Sequence, residues 1–179
     1  MLPIIALALL APQEKIEGPR IEVLLQSGKA FVITMDAQNT PQTTKRIVEL
    51  VKIKFYDGQR FHRVEDWVVQ WGAPASRDKD LKDPEVGGGG SGRQLPFEAG
   101  KLSFLKGTVG IASTGRQVGG DSQLFVVKRD SEFLDGSYCA CGRVTSGLPV
   151  VMQIKVGDRI KTMRVLPEPK QPKRKPRGS

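Results

Sequence analysis

A chain of 179 residues with 39% hydrophobic and 26% charged residues fits one soluble globular domain with tails. Its 20 glycines and 12 prolines argue against a helical bundle and for many turns joining short strands. The formal charge of +9 is unevenly placed: Lys170, Lys173, Arg174, Lys175 and Arg177 fall in the last ten residues, and without them the body is only mildly basic at +4.

In chain order, residues 2–11 (LPIIALALLA) come first, an apolar run of ten. A bilayer-spanning helix needs about 20 residues, so this run is too short to cross. It has the length of a signal-peptide hydrophobic region and ends in small residues, though no Lys or Arg precedes it. Export to the periplasm or the cell exterior is the expectation, with a cytoplasmic protein carrying an apolar tail as the alternative. Residues 1–19 are accordingly set apart as N-terminal segment and linker, 20–166 as one domain, and 167–179 as a basic, Pro/Lys-rich disordered tail.

Residues 20–26 and 30–35 read as two strands around Ser27-Gly28-Lys29, a hairpin with a short Gly-containing loop. Thr40 is a candidate N-cap, with Pro41 at the first helical position. Ile47, Leu50, Val51 and Lys54 then recur at three- and four-residue spacing, predicting a helix over 41–54 that Asp57-Gly58 ends. Residues 61–72 (FHRVEDWVVQWG) form one β-prone run between Gly58 and Gly72. The stretch 73–93 contains GGGGSGR, but without the Lys-Ser/Thr of a phosphate loop or a following helix start, so a flexible surface loop is predicted. Strand signals resume at 108–113, 124–128, 138–144 and 159–166, with a short helix over 148–155. About eight short strands and two helices predict a mainly β fold, a closed antiparallel eight-stranded barrel capped by two α-helices.

The chemistry-bearing residues are few. His62 is the single histidine, and with no GxSxG elbow and no carboxylates paired by spacing, a hydrolase is weakly supported. His62 reads as a structural histidine. Cys139 and Cys141 would lie about 6.5–7 Å apart on one strand face, near the limit for a disulfide, so neither a bridge nor a metal site is expected. Aromatic residues make up only 6% of the chain and are not interleaved with basic ones, which argues against nucleic-acid binding. One chemistry needs no proton transfer. Rotation about an Xaa–Pro bond is opposed by amide resonance, a barrier of about 18–20 kcal/mol. Its catalyst needs an apolar slot for the prolyl ring and a donor for the nitrogen lone pair that appears as the amide twists. Arg63, with Trp67, Val68 and Gln70 close behind it, supplies such a set. Taken alone, Arg63 reads first as an ion-pair partner of Glu65 or Asp66, and Phe125 and Val68 read equally as ordinary core or as pocket.

FHRV, the run to Gln70, GIAS, SQLFVV and FLDGSY resemble, in order and with near-family spacing, the motifs of the cyclophilin family of peptidyl-prolyl isomerases. The resemblance covers residues 20–166. It implies a cofactor-free isomerase acting on proline-containing polypeptides and assisting folding, or alternatively a proline-peptide-binding module with little activity; a monomer is expected. By that likeness Arg63 is the catalytic arginine. The substrate-binding set is Trp67, Val68, Gln70, Ala112, Ser113, Gln123, Phe125 as the floor of the proline pocket, Phe133, Leu134 and Tyr138. Phe133 and Tyr138 stand where the family often has Trp and His, as in bacterial members, and Phe133 implies weak binding of cyclosporin. Three departures are visible. The Arg63-to-Gln70 interval is one residue shorter than the common form, Trp67 replaces the usual Phe and narrows the slot, and Trp71 takes the place of a glycine, implying an altered neighbouring loop.

Overall fold

The computed structural model describes residues 16–168, so the apolar run at 2–11 and nearly all of the basic tail lie outside the described residues. Strand β1 (Arg20–Leu25) buries Ile21, Val23 and Leu25, and β2 (Ala30–Met35) buries Phe31, Ile33 and Met35. The two-residue alternation thus sets which face turns inward. The strands pair antiparallel with Ile21 opposite Ile33 and Val23 opposite Phe31. Gly28, at φ +84°, turns the chain between them.

Helix α1 (Pro41–Lys52) buries Thr43, Thr44, Ile47, Leu50 and Val51. It stops two residues before the expected end, because Lys54 turns to φ +59° and leaves the helical path. Thr40 is at the N-cap position, yet its hydroxyl donates to the Asp36 carbonyl at 2.8 Å and caps nothing. The free amides of Gln42 and Thr43 donate instead to the two Glu98 carboxylate oxygens, at 2.9 and 2.8 Å.

The run 61–72 is two strands rather than one. Short β3 (Arg63–Val64) pairs antiparallel with β4 (Val68–Trp71), placing Arg63 directly opposite Gln70. The expected loop at 73–93 is also more structured than its glycines suggest. It holds a 3-10 turn (Pro74–Arg77) and a five-residue helix α2 (Pro84–Gly88), whose Glu85 amide is capped by the Asp83 carboxylate at 2.9 Å. Strands β5 (Thr108–Ile111) and β6 (Leu124–Val127), a 3-10 turn (Glu132–Leu134), β7 (Cys139–Ser146), α3 (Leu148–Gln153) and β8 (Ile160–Val165) complete the described chain.

All eight strands join one antiparallel sheet, in the order β3-β4-β6-β5-β7-β2-β1-β8. The sheet curls into a half-barrel rather than the fully closed barrel expected, because β3 and β8 at its edges form no ladder with each other. The seam is a bridge between Arg60 and Arg159 with hydrogen bonds such as Phe61 N–H to the Asp158 carbonyl and Ile160 N–H to the Gln59 carbonyl, both 2.9 Å.

Two apolar clusters occupy opposite faces of this sheet. The larger fills the barrel interior with Ile33, Val69, Trp71, Val109, Leu124 and Val126 among others. Trp71, fully buried, packs on Phe31 and Phe61 with centroids 6.2 and 5.3 Å away. It therefore occupies barrel volume rather than reshaping a loop. The smaller cluster comprises Val68, Leu102, Phe104, Phe125, Val127, Leu134 and Ala140. Odd and even positions of β4 and β6 divide between the clusters, so Val68 and Phe125 belong to the outer one. A functional site is built on that second face.

Candidate active site

Phe125 forms the floor. It is 6% exposed, its ring stacks on Phe104 with centroids 5.5 Å apart and planes at 11°, and Tyr138 meets it edge-on at 6.5 Å. Neighbouring Gly110 is directly paired with Phe125, and a Cβ there would fall 2.4 Å from Phe125 Cζ. The absence of a side chain at Gly110 is what lets the ring lie flat on the sheet. Above it opens a cavity of about 340 Å³ lined by Arg63, Trp67, Val68, Gln70, Ala112, Ser113, Phe125, Phe133, Leu134 and Tyr138. The structure thus gathers every site residue named from the sequence except Gln123, which lines an adjoining cavity of about 480 Å³.

Gln70, Ala112 and Ser113 line both spaces, and Gln123 is tied to the first through Gln70. The Gln70 carboxamide nitrogen donates to Gln123 Oε1 at 2.7 Å, and Gln123 Nε2 donates to the carbonyls of Gly87 and Gly89 at 2.9 and 2.7 Å. Arg63 Nη1 reaches Gln70 Oε1 at a long 3.4 Å. A line of amides therefore runs from the guanidinium to the glycine-rich segment and fixes the orientation of each member. That segment is pinned on its other side as well. The Asp121 carboxylate accepts from the amides of Gly92 and Arg93, at 2.8 and 3.3 Å, and from the Ser91 hydroxyl. These amides hold a carboxylate of the chain itself, which gives a structural reason why GGGGSGR is no phosphate loop.

Arg63 stands at the rim, its side chain 42% exposed. Its Nε donates to Glu65 Oε1 at 2.7 Å, and its guanidinium carbon lies 5.2 Å from the centroid of the Trp67 ring. The Trp67 indole N–H donates to the second Glu65 oxygen at 2.8 Å. The Arg63 hydrogen bond holds the Glu65 carboxyl below its ordinary value against the opposing effect of burial, with a lesser contribution from the Trp67 hydrogen bond. Phe133, 66% exposed, closes the rim by meeting Trp67 edge-on at 5.6 Å. The ion pair and the pocket position are thus both true of Arg63, so the two sequence readings do not compete.

His62 lies behind the arginine. Burial lowers its pKa, and its Nδ1 has no hydrogen-bond partner among the described residues. Cys139 and Cys141 are free and buried, and burial pushes the Cys139 thiol up to about 11. Sequence reasoning missed Phe104, which supports the floor from a segment with no strand signal, and the cavity beside Gln123, half of whose lining residues are glycines. An apolar slot with one permanently charged donor at its mouth suits stabilisation of a twisting amide.

Residues 20–172 match the family model described as cyclophilin type peptidyl-prolyl cis-trans isomerase/CLD. The chain is 32% identical over 149 residues to the peptidyl-prolyl cis-trans isomerase of Synechococcus elongatus, covering 81% of this chain and 96% of that one. A Brucella abortus protein named "Probable peptidyl-prolyl cis-trans isomerase" is 37% identical over 121 residues, 65% of this chain. There the match spans 62% of the relative's length. Among solved structures, a Cryptosporidium parvum cyclophilin-type isomerase superposes with a TM-score of 0.72 at 19% identity, covering 86% of this chain and all of that one. The same C. parvum protein, solved in the presence of the dipeptide Ala-Pro, gives 0.70 at 19% identity over 83% of this chain and 99% of that one. The chain belongs to the cyclophilin-type peptidyl-prolyl cis-trans isomerase family.

Proposed function

We propose that this protein is a peptidyl-prolyl cis-trans isomerase that accelerates rotation about Xaa–Pro bonds in unfolded or loop segments of other polypeptides, assisting their folding. The observation that carries the reading is a guanidinium poised at the mouth of an apolar pocket floored by a stacked phenylalanine. The prolyl ring enters between Val68, Leu134 and Tyr138 and rests on Phe125, while the chain on either side crosses the rim at Trp67 and Ala112. As the bond twists, resonance is lost and the prolyl nitrogen regains its lone pair, which accepts a hydrogen bond from Arg63. That bond exists only in the twisted state, so it lowers the barrier rather than merely tightening binding. Phe133, exposed over Trp67, supports weak binding of cyclosporin. Export is proposed on the apolar run at 2–11, and an intact Met1 on protein purified from its native cell would refute it.

The test is exchange on an Ala-Pro peptide, whose uncatalysed isomerisation takes tens to hundreds of seconds. Wild type is expected to accelerate it. Removing a donor to a developing charge costs about a hundred- to a thousandfold in kcat, and Arg63→Ala should lose that much while staying folded. A folded wild type that binds the peptide without accelerating exchange would establish the binding module instead.

A further inference from the structure

We propose that Glu65 is a positioning residue for Arg63, its carboxylate holding the guanidinium and the Trp67 indole in one fixed arrangement over the proline pocket. The inference rests on the isomerase reading. One carboxylate oxygen takes Arg63 Nε at 2.7 Å and the other takes the Trp67 indole N–H at 2.8 Å. Only a group with two acceptor oxygens serves both donors. A carboxamide in its place has one acceptor and would leave a donor unmatched.

The pair directs the guanidinium as well as tethering it. With Nε on Glu65 and Nη1 facing Gln70, Nη2 makes no hydrogen bond among the described residues and remains for substrate. The Trp67 ring, 5.2 Å away, limits how far the fork can swing. Arginine otherwise spreads over many rotamers, and freezing it only when the amide twists would add to the barrier. Glu65 itself is held by the turn, since its amide donates to the Val68 carbonyl at 2.9 Å and its carbonyl accepts from Lys128 Nζ at 2.9 Å. With side chains 42% and 46% exposed, the ion pair contributes little to folding, so its effect should show in rate rather than in stability.

Arg63, on the same hairpin, is ion-paired to the Glu65 carboxylate, Asp66 is next in the chain, Lys128 just past β6 donates to the Glu65 backbone carbonyl, and the turn at Glu132–Leu134 lays the Phe133 ring against Trp67. Arg63 holds the Glu65 pKa below its ordinary value, so the clamp is intact at neutral pH and is lost as pH falls through that lowered value.

The experiment compares wild type, Glu65→Ala and Glu65→Gln on an Ala-Pro peptide, with kcat and KM resolved and thermal midpoints recorded. At neutral pH both variants are expected to lose about three- to fivefold in kcat, with KM and the midpoint nearly unchanged. Across acid pH, within the range where circular dichroism shows all three folded, wild-type kcat should fall toward that of the variants, whose own profiles stay flat. Unchanged or raised kcat in either folded variant, or a change confined to KM, overturns the proposal. A wild type without activity overturns the isomerase reading instead, so the two failures are distinguishable.

Discussion

The proline floor can be tested by a single methyl group. Gly110 of β5 is paired with Phe125 of β6, and a Cβ at Gly110 falls 2.4 Å from Phe125 Cζ, 2.6 Å from its Cε1 and 2.8 Å from Phe104 Cε1. Carbon atoms do not approach so closely, so in Gly110→Ala the ring must move. Phe104, stacked beneath at 11°, blocks retreat into the sheet, and the open direction is outward into the pocket. Overpacking of this kind costs about 1–3 kcal/mol, and relaxation toward open space places it at the low end. Function should suffer more. A prolyl ring buries three methylenes worth about 0.8 kcal/mol each, about 2.4 kcal/mol when the slot is intact. Losing half of that, about 1.2 kcal/mol, raises KM about eightfold. The assay is KM for an Ala-Pro peptide beside a urea unfolding curve. A variant destabilised by about 1–3 kcal/mol yet keeping the wild-type KM would show that Phe125 does not floor the substrate slot.

Two further predictions concern groups behind the arginine. Gln123→Leu removes the acceptor for Gln70 and the donor for two glycine carbonyls, so stability should fall by about 1–3 kcal/mol and kcat with it. An unchanged urea midpoint would show that the amide line is not maintained in solution. Burial lowers the pKa of His62 from 6.5, so between that lowered value and 6.5 the unfolded chain binds the proton that the folded chain refuses. Stability should therefore rise with pH through this window, and because the chain has one histidine, His62→Gln should flatten the slope measured by urea midpoints from about pH 5 to about pH 7.5. An equal slope in the variant would place its origin elsewhere.

Local patterns in the sequence carried much of this fold. The alternation in β1 and β2 set their inward faces, and the three- and four-residue spacing in α1 marked its buried side. The failures were of two kinds. The first is long-range partnership: Glu98 caps α1 from 55 and 56 residues away, and no local rule reveals it. The second is a local signal masked by composition. Asp83-Pro84-Glu85 is a sound helix start, but Gly87 and Gly88 inside the same short helix pull the expectation toward loop. The hairpin at 61–72 was hidden similarly, because its tip of Glu65, Asp66 and Trp67 contains no Gly, Pro or Asn. For the site, residue type alone left Phe125 and Val68 between core and pocket. A half-exposed sheet has one buried face, whereas this one carries an apolar cluster on each, so hydrophobicity alone does not say which residues face the slot. Family likeness supplied that choice, and the geometry places those residues around one cavity.

The shortened hairpin shows why the likeness survives a deletion at its centre. In a strand, moving the register by one residue exchanges the two faces, which here would send Gln70 and Val68 into the barrel and Trp71 out. That has not happened: Arg63 opposes Gln70, Val64 opposes Val69, and β4 keeps its register against β6 with Gln70 opposite Phe125. The missing residue is therefore absorbed at the tip, beyond the last paired residues Val64 and Val69. The tighter tip brings Glu65 back alongside Arg63 and puts the Trp67 N–H within reach of the same carboxylate. Two of the departures from the family pattern, a shorter connection and a bulkier aromatic, thus meet in one carboxylate that holds the arginine in place.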